Sequence, residues 1–241
     1  MRLIPLLIAL LLTIQSACGQ SDVVRLWRIL DGFNKLYGGG RDAQTMSAIV
    51  VEGKQAQGGQ IFDFSLRKKR PNSIRYRMSS GDNVILTGYN GSVGWLQVFG
   101  EDGVTLKDLE GDSLAMLQDE ADFDGPLLRH IRYQEGTVTL AESVALDGEV
   151  ANVLNVEASS GRNARYYLSM HSRHILKREL LKDDGSVLLE TLYRDYRDVS
   201  GFPFAHVVEN YADGELLSRT EVEQVRVNPG VLSFYFEKPQ Q

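Results

Sequence analysis

Residues 60–98 read Gln-Ile-Phe-Asp-Phe-Ser-Leu-Arg-Lys-Lys-Arg-Pro-Asn-Ser-Ile-Arg-Tyr-Arg-Met-Ser-Ser-Gly-Asp-Asn-Val-Ile-Leu-Thr-Gly-Tyr-Asn-Gly-Ser-Val-Gly-Trp-Leu-Gln-Val. Phe62, Phe64 and Leu66 alternate with Asp63, Ser65 and Arg67, and Ile74, Tyr76 and Met78 alternate with Arg75, Arg77 and Ser79. A period of two marks strands with one apolar, aromatic face and one charged face. Arg70-Pro71-Asn72 makes a corner between them, and Asn90-Gly91 supplies a turn into a strand bearing Trp95. No catalytic motif interrupts the stretch.

Working outward, the same alternation recurs. Met46, Ala48 and Val50 alternate with Ser47, Ile49 and Val51, and further strands are expected at 137–145, 150–158, 163–170, 174–181, 187–197, 204–211 and 216–227. A short edge strand near Leu232–Phe236 is expected to close the chain. Asp147-Gly148, Asp184-Gly185 and Asp213-Gly214 are hairpin-type dipeptides. Consecutive strands with short turns favour an antiparallel meander that curls. Two segments depart from it. Ser21-Asp22 caps a helix with Val23, Trp27, Leu30, Phe33 and Tyr37 on its apolar side, ended by Gly38-Gly39-Gly40. Leucines 106, 109, 114, 117, 127 and 128 in residues 105–133 lack strand alternation and predict two or three short inserted helices.

The first nineteen residues are set apart from the fold. Arg2, the apolar run Leu3–Ile14 and the small residues after it read as a secretory signal peptide, too short to span a bilayer. Cys18 is the only cysteine, so no intramolecular disulfide is available. Ser16-Ala17-Cys18 fits a lipobox except at Gln15, which makes Cys18 a candidate lipidation site; ordinary cleavage after Ala17 or Gly19 is the alternative. Residues 20–241 are long enough for one domain with a sizeable core. The net charge of −6 argues against nucleic acid as a partner, and the basic run Arg67–Arg70 reads as a solvated strand end.

Candidate chemistry is sparse. Glu120-Ala121-Asp122-Phe123-Asp124-Gly125 resembles the opening of a calcium loop, but Pro126 follows the glycine and Ile131 stands where a closing glutamate is needed. The stretch reads as a solvated acidic loop, and no metal or cofactor is expected. The four histidines fall in no metal or nucleophile motif. Pro71 places Arg70 at a strand end. There its fork of donors serves either a surface turn or a grip on carbonyls at a cavity rim.

Lys69-Arg70-Pro71-Asn72, Tyr76, Val84-Ile85-Leu86, Asn90-Gly91 with Trp95, and the terminal Leu232–Phe236 together resemble the LolA-like periplasmic lipoprotein carriers. Tyr76 stands where that pattern has tryptophan. The resemblance implies a curved, incomplete antiparallel barrel of α+β class, whose N-terminal and inserted helices cover an apolar cavity for acyl chains. It implies that Arg70 latches the lid. The expected lining is Phe62, Phe64, Leu66, Ile74, Tyr76, Met78 and Trp95, with Leu106, Leu117 and Leu128 from the lid. The function so implied is a non-enzymatic periplasmic carrier of lipid or lipoprotein acyl chains in outer-membrane sorting, loaded and unloaded by membrane-protein partners. An anchored receptor or envelope sensor of the same fold is the alternative, and a hydrolase is the least supported class.

Overall fold

The computed structural model describes residues 22–38, 46–101 and 103–240; Cys18 and the expected leader lie outside the described residues. A helix over residues 22–37 (α1) precedes six strands: β1 (Ala48–Gln57), β2 (Gln60–Lys69), β3 (Ser73–Ser80), β4 (Asn83–Tyr89), β5 (Gly94–Gly100) and β6 (Gly103–Asp108). Helices α2 (Gly111–Ala121) and α3 (Gly125–Tyr133) follow. Eight strands complete the chain: β7 (Thr137–Leu140), β8 (Val144–Leu146), β9 (Glu149–Glu157), β10 (Asn163–Ser169), β11 (Ile175–Leu181), β12 (Val187–Val199), β13 (Phe202–Ala212) and β14 (Glu215–Val227).

All fourteen strands join one antiparallel sheet in the order β6-β5-β4-β3-β2-β1-β14-β13-β12-β11-β10-β9-β7, with β8 beside β9. Two meanders are thus sewn together where β1 meets β14, from Ile49 opposite Val227 to Gln57 opposite Ser218. The sheet does not close, so it is the curved incomplete barrel that the alternation and resemblance imply. At Asp147-Gly148 and Asp213-Gly214 both residues have positive φ, as a tight two-residue hairpin requires.

Directly paired residues of an antiparallel sheet share a face, so the register sorts the side chains. Phe62, Phe64, Leu66 and Lys68 of β2 fall on the helix-covered, concave face with Ile74, Tyr76 and Met78 of β3. That face continues through Ile85, Thr87 and Tyr89 of β4 to Leu96 and Val98 of β5. At its far end Leu154, Val156, Ala164, Tyr166 and Leu168 meet Ile29, Leu30 and Phe33 of α1 and Leu127 and Leu128 of α3 in the main core. A second core forms under α2 from Ile74, Tyr89, Leu117 and Ala121.

Four expectations are corrected. The inserted segment does not begin with a helix: residues 103–108 extend the sheet as β6, because β5 offers an edge whose backbone groups need partners. The terminal Ser233–Phe236 forms a 3-10 turn rather than a strand, and residues 137–145 break into β7 and the start of β8. Helix α1 turns a different side inward. Leu26, Ile29, Leu30, Phe33 and Tyr37 form the packed stripe, and Trp27 stays 60 % exposed. Arg25 sits beside that stripe, donating to Ser143 Oγ at 2.6 Å and Asn152 Oδ1 at 3.0 Å.

Trp95 is fully buried, but on the convex face. It lies opposite Gly88, in line with Arg75, and its indole Nε1 donates to the Phe236 carbonyl at 3.0 Å. Gly88 is required by close approach: a Cβ there would stand 2.4 Å from the indole. Gly88→Val should therefore lower unfolding free energy by about 1–3 kcal/mol, the usual cost of overpacking, measured by urea denaturation. A midpoint equal to the parent's would show that the indole does not rest on this backbone.

Candidate functional site: the clamped hinge of a helical lid

Helices α2 and α3 are joined by Asp122-Phe123-Asp124, the acidic stretch that the sequence suggests is solvated. It is held from three sides. Lys68 sits two residues after Leu66 on β2 and so shares its inward face; its Nζ donates to the Asp122 carbonyl at 2.8 Å. Arg70 follows at the strand end, where its backbone N–H donates to the Ser47 carbonyl at 2.9 Å. Its Nε donates to the Met46 carbonyl at 2.6 Å, and its two Nη atoms meet the Asp124 carboxylate at 2.6 and 2.7 Å. The same guanidinium lies over the Phe123 ring, 4.6 Å from its centre, and the Phe123 N–H donates to the Pro71 carbonyl at 3.1 Å. From the third side, Arg132 of α3 reaches Asp124 Oδ1 at 2.6 Å and the Gly38 carbonyl at 2.6 Å.

Asp124 therefore carries a bidentate and a monodentate guanidinium contact while its side chain is only 6 % exposed. Charge-assisted forks of this kind are the strong hydrogen bonds of proteins, and losing either partner would leave poorly solvated charge behind. Burial pushes the Asp124 carboxyl up, but the Arg70 hydrogen bonds and the charges of Arg70, Arg132 and Arg129 outweigh it and hold it below the usual aspartate value. The neighbouring acids are likewise engaged: Asp122 with Arg129 at 3.5 Å, and Glu120 with Arg178 of β11 at 2.7 Å. Among the described residues no cluster of ligating side chains could hold a metal.

Beside the hinge lie further charged groups and a polar opening. Glu120 lies deep among surrounding atoms, yet its side chain keeps 43 % of its surface open. The Arg178 charge holds Glu120 below its ordinary value despite burial, and burial pushes Lys68 below its own. Burial also raises Tyr76, and raises Tyr166 to about 12, so both phenols stay neutral. An opening of about 400 Å³ lies between α2, the start of α3, the turn at residues 158–162, and strands β10 and β11. Arg129, Arg162 and Arg178 line it alongside Asp119, Asp122 and Glu135, so its charges balance.

The ten residues expected to line a cavity divide into groups. None of them lines this polar opening. Ile74, with Leu66 and Tyr76 against it, and Leu117 of α2 form the core under α2. Leu128 of α3 belongs to the core with α1. Phe62, Phe64 and Met78 continue the concave face outward from Leu66 and Tyr76, half-buried, with the Phe64 and Tyr76 rings 6.1 Å apart. Trp95 and Leu106 point the other way: Leu106 of β6 is opposite Gln97 of β5, which sets it on the convex face that holds Trp95. Residue type without register suggests the cavity for Trp95, and the expected lid helix suggests it for Leu106, which lies in a strand instead. Lys68 was legible by parity, since a cation at an even position of a greasy strand needs an inward partner. Asp124, Arg132, Glu120 and Arg178 carried no such local signal.

No protein-family model matches the chain, and no curated protein does. Solved structures do. A DUF1329 family protein from Desulfovibrio piger superposes with a TM-score of 0.60 at 12% identity, over 90% of this chain and 97% of that one. A putative outer membrane lipoprotein-sorting protein domain from Vibrio parahaemolyticus gives 0.57 at 11%, over 81% and 92%. A LolA superfamily protein from Nitrosomonas europaea gives 0.56 at 13%, over 88% and 97%. The chain has the LolA fold.

Because the folded value of Asp124 is depressed, its stabilising effect is complete above the unfolded aspartate value of about 3.9. It is lost as pH falls through the lower folded value. Urea midpoints should decline on acidification below about pH 4, and Asp124→Asn should flatten that part of the curve while lowering stability at neutral pH. Superimposable pH curves for parent and variant would contradict the clamp.

Proposed function

We propose that the protein is a carrier that reversibly holds acyl chains, of a lipoprotein or another lipid, against the concave face beneath the α2–α3 lid. One observation carries this reading: the lid's hinge is fixed by side-chain forks from Lys68, Arg70 and Arg132, beside apolar strand residues that remain half-buried. Polar contacts of defined geometry can open and re-form as a unit. An apolar core sealed for good would need no such catch.

The energetics fit exchange rather than permanent binding. Each methylene moved from water to an apolar surface gains roughly 0.8 kcal/mol, so part of one chain suffices for useful affinity. Closing the lid over an empty face hides the same surface and competes with cargo. A latch of charge-assisted bonds then sets the affinity by stabilising the closed state. The leader-like first nineteen residues support a periplasmic site of action, and the lipoprotein-sorting description of the Vibrio neighbour supports the same cargo class. No covalent step is required, and the residues assigned to binding are Phe62, Phe64, Leu66, Tyr76 and Met78.

Arg70→Leu removes both the Asp124 fork and the Met46 contact while keeping an apolar stem against Phe123. The variant should release a bound fluorescent fatty-acid probe at least several-fold more slowly than the parent, because an unlatched lid no longer drives cargo out. Equal release rates from folded parent and variant would remove Arg70 from the mechanism.

A further inference from the structure

The basic run of β2 divides by parity. Lys68 turns inward, whereas Arg67 and Lys69 emerge on the convex face beside Arg75 and Arg77 of β3, with Arg67 directly opposite Arg75. Among the described residues none of these four has a carboxylate within ion-pair distance. Arg67 donates to Ser65 Oγ at 3.2 Å, Arg77 to Ser79 Oγ at 2.8 Å, Lys69 to Ser233 Oγ at 3.0 Å and Arg75 to the Tyr235 carbonyl at 3.0 Å. Two acids of the same face are already engaged, Asp63 by Lys54 at 2.9 Å and Glu52 by Arg226 at 3.0 Å. Burial, then the charge of Arg67 and also that of Arg77, lowers the Arg75 value. Like charges opposite one another weaken a sheet, and here they stand together in a chain of net charge −6.

The C-terminal turn adds an apolar element to the same patch. The Tyr235 ring lies 5.5 Å from the Arg67 guanidinium, and Phe234 stacks on Tyr235 at 4.4 Å. Phe234 is 62% exposed and Leu232 59%, and these two flank Ser233, which holds Lys69.

We propose that this convex face docks on an anionic bilayer surface. A membrane of acidic phospholipids offers a diffuse negative potential, which an array of cations meets without a shaped socket. Directly beneath its headgroups lies the apolar layer into which Phe234 and Leu232 insert. An acidic peptide would satisfy the charges and leave the two projecting apolar side chains without a role. The inference is independent of the proposed acyl-binding face, which lies on the other side of the sheet.

The test is sedimentation of the purified chain with phosphatidylcholine vesicles, with and without phosphatidylglycerol. Binding is expected only to vesicles containing the anionic lipid, and it should weaken as salt screens the charges. The double variant Lys69→Gln/Arg77→Gln should bind about 30-fold more weakly, since each cation near such a surface contributes about fivefold. Phe234→Ser should weaken binding with the salt dependence retained. Arg77→Gln alone, at an exposed position, serves if the double variant fails to fold, and should cost about fivefold. Equal binding to both vesicle types, parental binding by folded charge variants, or no sedimentation at all overturns the proposal; the last result would leave the face to an acidic protein partner.

Discussion

The pairing of β1 with β14 is the constraint on which everything else rests. It joins residues about 180 positions apart, Ala48 to Asn228 at one end of the ladder, and makes one sheet of two meanders. Each half packs its own core, one under α2 and one under α1 and α3, and the seam sets both cores on one continuous wall. Closing so long a loop is entropically slow to earn back, and the nine paired positions of this ladder are what offset it. The consequence is functional as well as structural. Lys68 and Arg70 come from the first half and Arg178 from the second, and the lid between them touches both.

Two kinds of attachment then hold the helices. Helix α1 and the body of α3 are fixed by apolar burial, with Leu30, Phe33 and Leu127 nearly inaccessible to solvent. The α2–α3 connection is fixed by forks and carbonyl contacts around Asp124. The first kind is non-directional and proportional to area; the second depends on geometry and protonation. The α2–α3 pair is thus held by directional polar contacts at its connection and by apolar burial along α3. The charge pairs on the inner side, Glu120 with Arg178 above all, set polar groups beside the apolar row of β2 and β3.

Much of this was legible in the sequence, and the misses share a cause. Strict alternation over Phe62–Arg67 and Ile74–Ser79 placed the strands and their faces correctly, because period two admits one geometry. The helix at 22–37 was legible from its start and its glycine stop, but its inward stripe was not, since Trp27 counts as apolar in any pattern and only packing shows that it stays outside. Trp95 was assigned to the cavity by residue type, yet one step of register reverses a side chain; Leu106 was assigned to the lid, and the strand that forms in place of a helix turns it to the convex face. Leu232–Phe236 has strand composition and forms a turn whose Phe236 carbonyl accepts from the Trp95 indole. Arg70 was recognised as a residue at a rim, while its partner Asp124 was read as solvated. No local pattern shows that a loop carboxylate 54 residues away will be buried between two guanidiniums.

The central claim is that the concave face holds an acyl chain under the lid. Native mass spectrometry of the protein isolated gently from its own compartment tests it most directly. The account predicts lipid-sized adducts that disappear on solvent extraction and return when a fatty acid is supplied. A protein that stays unliganded both as isolated and with excess fatty acid would contradict it.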